Sequence, residues 1–138
     1  MTYDTDNIFA KILRGELPCF KVAETEGALA FMDIMPRTDG HVLVIPKSPA
    51  RNLMDASAAQ LADVMDLVQK VAHAQKKALG ADGTTVQQFS EAAGGQEVFH
   101  LHFHVHPRHD GLPMRPPGKM GDMDQIKAIS EKIAAAIA

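Results

Sequence analysis

Hydrophobic positions recur along this chain at two periods, and the change from one to the other marks its elements. Leu61, Val64, Met65, Val68, Val71, Ala72 and Leu79 fall on one helical stripe, which predicts a long helix. Ser57 and Gln60 stand at capping-box spacing at its start, and Gly80 closes its end. A shorter helical pattern runs from Asn7 to Arg14, with Ile8, Phe9 and Ile12 facing inward; Gly15 and Pro18 stop it. The Ala-rich stretch 123–137 predicts a C-terminal helix. Elsewhere the runs are short and strand-like. Phe20–Glu24 and Ala28–Asp33 predict two strands joined by a turn at Thr25–Glu26–Gly27, His41–Pro46 a buried strand, and Thr85–Phe89 a fourth. The first strands are too closely joined for parallel crossovers, so the expected class is an antiparallel α+β fold. No repeat or linker divides the chain, and residues 1–138 are expected to form a single domain.

The fifth predicted strand is the unusual one. In VFHLHFHVHP, His100, His102, His104 and His106 alternate with Phe99, Leu101, Phe103 and Val105. Side chains on a strand alternate between faces, so one face is apolar and the other is all imidazole. Pro107 is expected to limit the strand. The Gly-rich turn before it, AAGGQ at 92–96, offers backbone N–H groups that can meet phosphate oxygens. His73 lies off the apolar stripe of its helix and is expected to be an ordinary surface residue.

Composition narrows the partners. The formal net charge of -3 gives no broad basic surface, which argues against a nucleic-acid partner. No apolar run reaches membrane-span length, and the polar start MTYDTDNIF is unlike a signal peptide. Cys19 is the lone cysteine, so no internal disulfide can form; a cytoplasmic location is expected.

Clustered imidazoles suit two chemistries. They can ligate zinc, although a structural zinc site normally adds thiolates and only Cys19 is present. They can also attack and protonate at an anionic centre, one ring as nucleophile while its neighbours orient it and carry protons. Crowded imidazoles titrate together, because protonating one disfavours protonating the next.

GGQEVFHLHFHVHPR resembles the signature of the histidine triad (HIT) family. FMDIMPRTDGHVLVIPK and NIFAKILRGELP resemble two further blocks of that family, in the same order, so the likeness spans residues 7–108 and leaves 109–138 as an extension. The pattern is most similar to the Hint-like purine nucleoside phosphoramidase branch. The resemblance implies a five-stranded antiparallel sheet with one long and one short helix, to which this chain adds its C-terminal helical tail. It also implies a homodimer that joins two sheets. The implied reaction cleaves a bond at the α-phosphorus of a purine nucleotide conjugate, a phosphoramidate or an adenylate, through a covalent nucleotidyl-histidine. A dinucleoside polyphosphate hydrolase, or a nucleotide-binding or protein-interaction module with incidental activity, is the alternative.

Carried onto this chain, His102 is the expected nucleophile and His104 contacts the phosphate and assists the leaving group. His100 orients the array, partly through its carbonyl, and His41 extends the relay. Gln96 and Val98 match phosphate-contacting positions, Asp33 the carboxylate that takes the ribose hydroxyls, and Ile8, Phe9, Ile12, Phe31 and Ile34 the slot for the base. No cofactor and no metal are expected: the positions matching structural-zinc ligands are Asn7, Ala10 and Pro49.

Several positions depart from the family pattern. His106 replaces an aliphatic residue and is expected at the rim of the site. Phe89–Ser90 occupies a region where relatives carry an asparagine, and Ser90 is the expected substitute. Glu97 stands where some relatives have a serine that assists the leaving group. Arg37 and Lys47 are expected to be solvated surface residues, and Gly40 to permit the loop geometry beside His41.

Overall fold

Five strands form one antiparallel sheet in the computed structural model, which describes residues 2–137. They are β1 (Lys21–Glu24), β2 (Ala28–Met32), β3 (Val42–Pro46), β4 (Gly83–Gln87) and β5 (Phe103–Arg108), in spatial order β1-β2-β3-β5-β4. The last strand in the chain is thus inserted between β3 and β4, which places its side chains at the middle of the sheet. Three helices complete the fold: α1 (Ile8–Leu13), α2 (Ala58–Leu79) and α3 (Met123–Ala136). This is the α+β arrangement expected from the sequence, with two long helices rather than one.

The caps behave as their residues dictate. Asn7 accepts a hydrogen bond from the Ala10 N–H at 2.8 Å, and Ser57 and Gln60 form a reciprocal capping box. Gly80 ends α2 in the left-handed conformation at φ 64°. The buried stripe of α2 is Val64, Leu67, Val68, Val71, Ala74 and Gln75, a clean helical spacing rotated from the predicted one. Met65, assigned to that stripe by the sequence, is 39% exposed. The predicted stripe counted every large apolar residue, whereas the sheet accepts only one face.

The sheet has two unlike sides. Ala28, Ala30, Met32, Val42, Val44, Phe103 and Val105 pack under α2 and α3 with Val64, Leu67, Val71, Ile126 and Ile133. The alternate residues Leu29, Phe31, Leu43 and Ile45 pack with Phe9 of α1. His104 stands opposite Leu43, so it shares this second side, and His106 follows by alternation. The C-terminal helix is a layer of the core, with Ile126 and Ile133 buried against α2 and β1.

Two expectations about the histidine stretch need correction. The strand begins at Phe103, and His100, Leu101 and His102 lie in an irregular segment before it. A bond from the Leu101 N–H to the Ala50 carbonyl, at 2.8 Å, pins that segment outside the ladder. Pro107 does not end the strand: pairing continues through Thr84↔Pro107 to Gly83↔Arg108. Pairing with β3 has already stopped at Val42↔Val105, so on that side Pro107 has no ladder bond to lose.

Candidate active site

β3, β5 and the segment before β5 bring five imidazoles together. His41 precedes β3, His104 and His106 alternate on β5, and His102 and His100 lie just upstream. Ring centroids are 5.0 Å apart for His102 and His104, 5.1 Å for His41 and His104, and 4.0 Å for His41 and His106. His41, His100 and His106 are fully buried or nearly so, and His102 is 7% exposed. Gly40 allows this packing: its φ is 96°, and a Cβ there would meet Leu79 Cδ1 at 2.6 Å. Gln75 of α2 holds the same corner by donating to the carbonyls of Gly40 and Val105 at 2.9 and 3.0 Å.

Hydrogen bonds dictate which nitrogen of each ring carries the proton. The Arg37 N–H donates to His41 Nδ1 at 3.2 Å, so His41 carries its proton on Nε2. That Nε2–H donates to His104 Nδ1 at 2.9 Å, which places the His104 proton on its own Nε2. His100 donates Nε2–H to the Pro46 carbonyl at 2.9 Å and accepts the Tyr3 hydroxyl at Nδ1 at 2.6 Å. His102 is reversed: its Nδ1–H donates to the His100 carbonyl at 2.7 Å. The Nε2 of His102 therefore presents a lone pair, while the neighbouring His104 presents an N–H. Neither of these two atoms has a partner among the described residues, and both rings line a cavity. An open lone pair and an N–H donor stand side by side.

Burial keeps the array neutral. Desolvation holds His100 at about 4, His104 at about 3 and His106 at about 4, and it lowers His41 and His102 as well. Neighbouring imidazoles and the Arg37 guanidinium push His41 and His104 further down. Asp33 shifts upward through desolvation, opposed by the Met35 N–H that its Oδ1 accepts at 2.8 Å and reinforced by Glu97.

The cavity has a volume of about 460 Å³, within the range of small-molecule sites. Phe9, Ile12, Phe31 and Val98 give it an apolar end, with Ile8 and Ile34 half exposed at the mouth. Asp33, Glu97, His41, His102 and His104 also line it. The N–H groups of Glu97 and Val98 have no hydrogen-bond partner among the described residues.

Other expected contacts point elsewhere. The Ser90 hydroxyl donates to Gln88 Oε1 at 3.0 Å and lies outside the lining. Gln96 is buried; its amide donates to the carbonyls of Arg51 and Val98 and accepts from Asn52 and the Glu91 N–H. Its own N–H donates to the Glu91 carbonyl at 3.0 Å, so Gln96 shapes the loop and has no donor left for a ligand. A bidentate Arg51–Glu91 pair, at 2.8 and 3.0 Å, anchors the same loop, and Glu91 sits at φ 63°. The His100 side chain is likewise engaged with Tyr3 and Pro46 and reaches the site through its carbonyl alone.

His106 is not a rim residue. It is fully buried behind His41, with Nδ1 accepting from Thr38 Oγ1 at 3.4 Å and Nε2–H donating to Gln87 Oε1 at 3.0 Å. Arg37 is not a freely solvated residue either: it lines the cavity, with Nε donating to the Arg115 carbonyl at 2.8 Å. Gln87, Arg37, Pro117 and Gly118 are lining residues that the sequence reading missed. Only Gln87 had a signal, since an antiparallel partner for β5 would set it opposite His104.

Imidazole nitrogens of His41, His104 and His106 lie within 4.8 Å of one another, close enough to share a metal ion. Both ring nitrogens of His41 and of His106 are already paired, with His104, the Arg37 N–H, Thr38 or Gln87, and His104 Nδ1 accepts from His41. Binding a metal would require giving up the relay.

The HIT domain model matches residues 14–111. Adenosine 5'-monophosphoramidase hnt1 of Schizosaccharomyces pombe is 40% identical, over 94% of this chain and 97% of that protein. Adenylylsulfatase HINT3 of Arabidopsis thaliana is 36% identical, over 78% of this chain and 54% of its own length. The crystal structure of a Hit-like protein involved in cell-cycle regulation from Bartonella henselae superposes with a TM-score of 0.94 at 48% identity, over 99% of each chain.

Proposed function

Because the chain belongs to the HIT family, we propose that it is a nucleotidyl hydrolase that cleaves phosphoramidate or adenylate conjugates of a purine nucleoside monophosphate through His102. The observation that carries this reading is the reversed tautomer of His102, with its Nε2 lone pair aimed into the cavity beside the His104 N–H.

The base and ribose occupy the apolar end, where Phe9, Phe31 and Val98 supply the walls and Asp33 accepts the ribose hydroxyls. The phosphate lies over His102 and His104, with the open N–H groups of Glu97 and Val98 as further donors. In the first step His102 Nε2 forms a bond to phosphorus, and the bond from phosphorus to the leaving nitrogen or oxygen breaks with its electron pair. Positive charge develops on the His102 ring, and the His100 carbonyl stabilises it through Nδ1–H, as a carboxylate does for the histidine of a serine protease. A bound phosphate anion favours the imidazolium form of His104 once the His41 Nε2–H shifts from His104 Nδ1 to Asp33 Oδ2, 3.5 Å away, and that imidazolium passes its Nε2 proton to the leaving atom. In the second step water attacks phosphorus while losing a proton to the now neutral His104. The bond to His102 breaks with its electron pair, so that His102 leaves as neutral imidazole and the nucleotide is released.

One observation favours a particular leaving group within this class. Arg37 is the lone Lys or Arg among the lining residues described, and it suits a departing oxyanion, as an adenylate would release. The sheet edge is also informative. β4 has an unpaired outer side and exposes Val86, which suits the joining of two sheets in a homodimer. A lone half-buried Cys19 suits a cytoplasmic setting. Among the described residues no helix is long and apolar enough to cross a membrane.

Replacing His102 with Ala tests the reaction. Turnover of an adenosine phosphoramidate and of adenylyl sulfate, assayed side by side, is expected to fall at least about 10³-fold while AMP still binds. Turnover close to the unaltered protein's would remove His102 from the chemistry.

A further inference from the structure

We propose that Gln87 binds the substrate's phosphoryl group through its side-chain amide, and that His106 is the positioning residue that aims it. The inference rests on the nucleotidyl-transfer reading above and adds a contact to it.

Gln87 ends β4 directly opposite His104, and residues paired this way project from the same face of a sheet. It lines the cavity together with His102 and His104. An amide has two chemically different sides, and here the surroundings choose between them. Gln87 Oε1 accepts the His106 Nε2–H at 3.0 Å. The Gln87 amide nitrogen has no partner among the described residues, so its two N–H donors are the free side. Phosphoryl oxygens accept hydrogen bonds and donate none, so an amide held with N–H outward is matched to them.

His106 can hold that orientation because it cannot turn. The His41 ring lies 4.0 Å from it, and the His104 ring is parallel to it at 6.0 Å. Gln87 Oε1 can only accept, which places the His106 proton on Nε2 and leaves Nδ1 to accept from the Thr38 hydroxyl at 3.4 Å. A fully buried imidazole is a costly way to fill this space, since a branched aliphatic side chain would fill it without polar atoms. What the imidazole adds is a fixed donor beneath Gln87.

The test compares the unaltered protein with Gln87→Ala, His106→Leu and the double variant, by hydrolysis of an adenosine phosphoramidate and by AMP binding. Loss of one hydrogen bond to a charged phosphoryl oxygen is expected to lower kcat/KM about 10- to 100-fold in Gln87→Ala and to weaken AMP binding. His106→Leu should lose less, and the double variant should be no worse than Gln87→Ala alone, because both changes remove the same contact. Gln87→Ala within about twofold of the unaltered protein in both assays would overturn the inference, as would losses that multiply in the double variant. Should His106→Leu fail to fold, a structure of the unaltered protein with AMP decides: the Gln87 amide nitrogen on a phosphoryl oxygen supports the proposal, and an amide turned away overturns it. If the unaltered protein has no turnover, the reaction assigned to His102 fails, and AMP binding by Gln87→Ala still decides the role of Gln87.

Discussion

The two sides of the sheet are made by the same strands and obey different rules. Under α2 and α3, Val42, Val44, Phe103 and Val105 meet apolar side chains, and what matters there is volume. On the other side, one residue along, Leu43 is followed across the ladder by His104 and then His106, and what matters is donor and acceptor identity. An apolar side chain fits any neighbour of suitable shape. An imidazole fits a neighbour that complements its tautomer, and Arg37, His41 and His104 form a chain in which each link sets the next. The imidazole side is thus the less forgiving one.

This contrast can be broken at either side. The largest effect is expected on the apolar side: Leu67→Ala removes a fully buried core residue and should cost about 2–5 kcal/mol of stability, measured by urea denaturation. The protein that remains folded should keep its kcat, and a lost kcat would show that the two sides are coupled. On the imidazole side, His41→Leu keeps the volume and removes the donor to His104 Nδ1. It should lower kcat about 10²-fold, about 2.7 kcal/mol of barrier, with a smaller change in stability. Unchanged kcat would mean that the tautomer of His104 does not depend on His41.

Smaller per ring and per pH unit, but spread over the same cluster, is the response to acid. Unfolded histidines take up protons below their ordinary value of 6.5, whereas folded His100 and His106 resist until about 4. The unfolded state therefore binds more protons in this window, and stability falls as pH drops through it. Each such ring contributes about 1.4 kcal/mol per pH unit. Urea midpoints at pH 7, 6 and 5 should decline in order, and a flat series would show that the rings are not held neutral by burial.

Much of the fold is legible in the sequence, because local patterns carry it. The capping box at Ser57, the stop at Gly80 and the alternation from Phe103 to His106 are local signals, and each survives folding. The failures are non-local. The strand starts at Phe103 because Ala50, far away in the chain, captures the Leu101 N–H. Pro107 is tolerated because β3 ends before reaching it, which nothing near Pro107 reveals. His106 looked peripheral because a proline follows it, yet Thr38 and Gln87 enclose it from two other elements. Gln96 matched a ligand-contacting position, but Arg51, Asn52 and Glu91 already engage its amide. Arg37 enters the cavity because a carbonyl of the C-terminal extension, at Arg115, holds its Nε.

The proposed reaction depends on one atom, the His102 nitrogen left open beside the cavity. Rapid quenching into alkaline denaturant during turnover of an adenosine phosphoramidate, followed by peptide mapping at high pH where a phosphorus–imidazole bond survives, locates any covalent nucleotide. One adenylyl group on His102, attached through Nε2, is the predicted result; an adduct on another histidine, or hydrolysis with none at all, would contradict it.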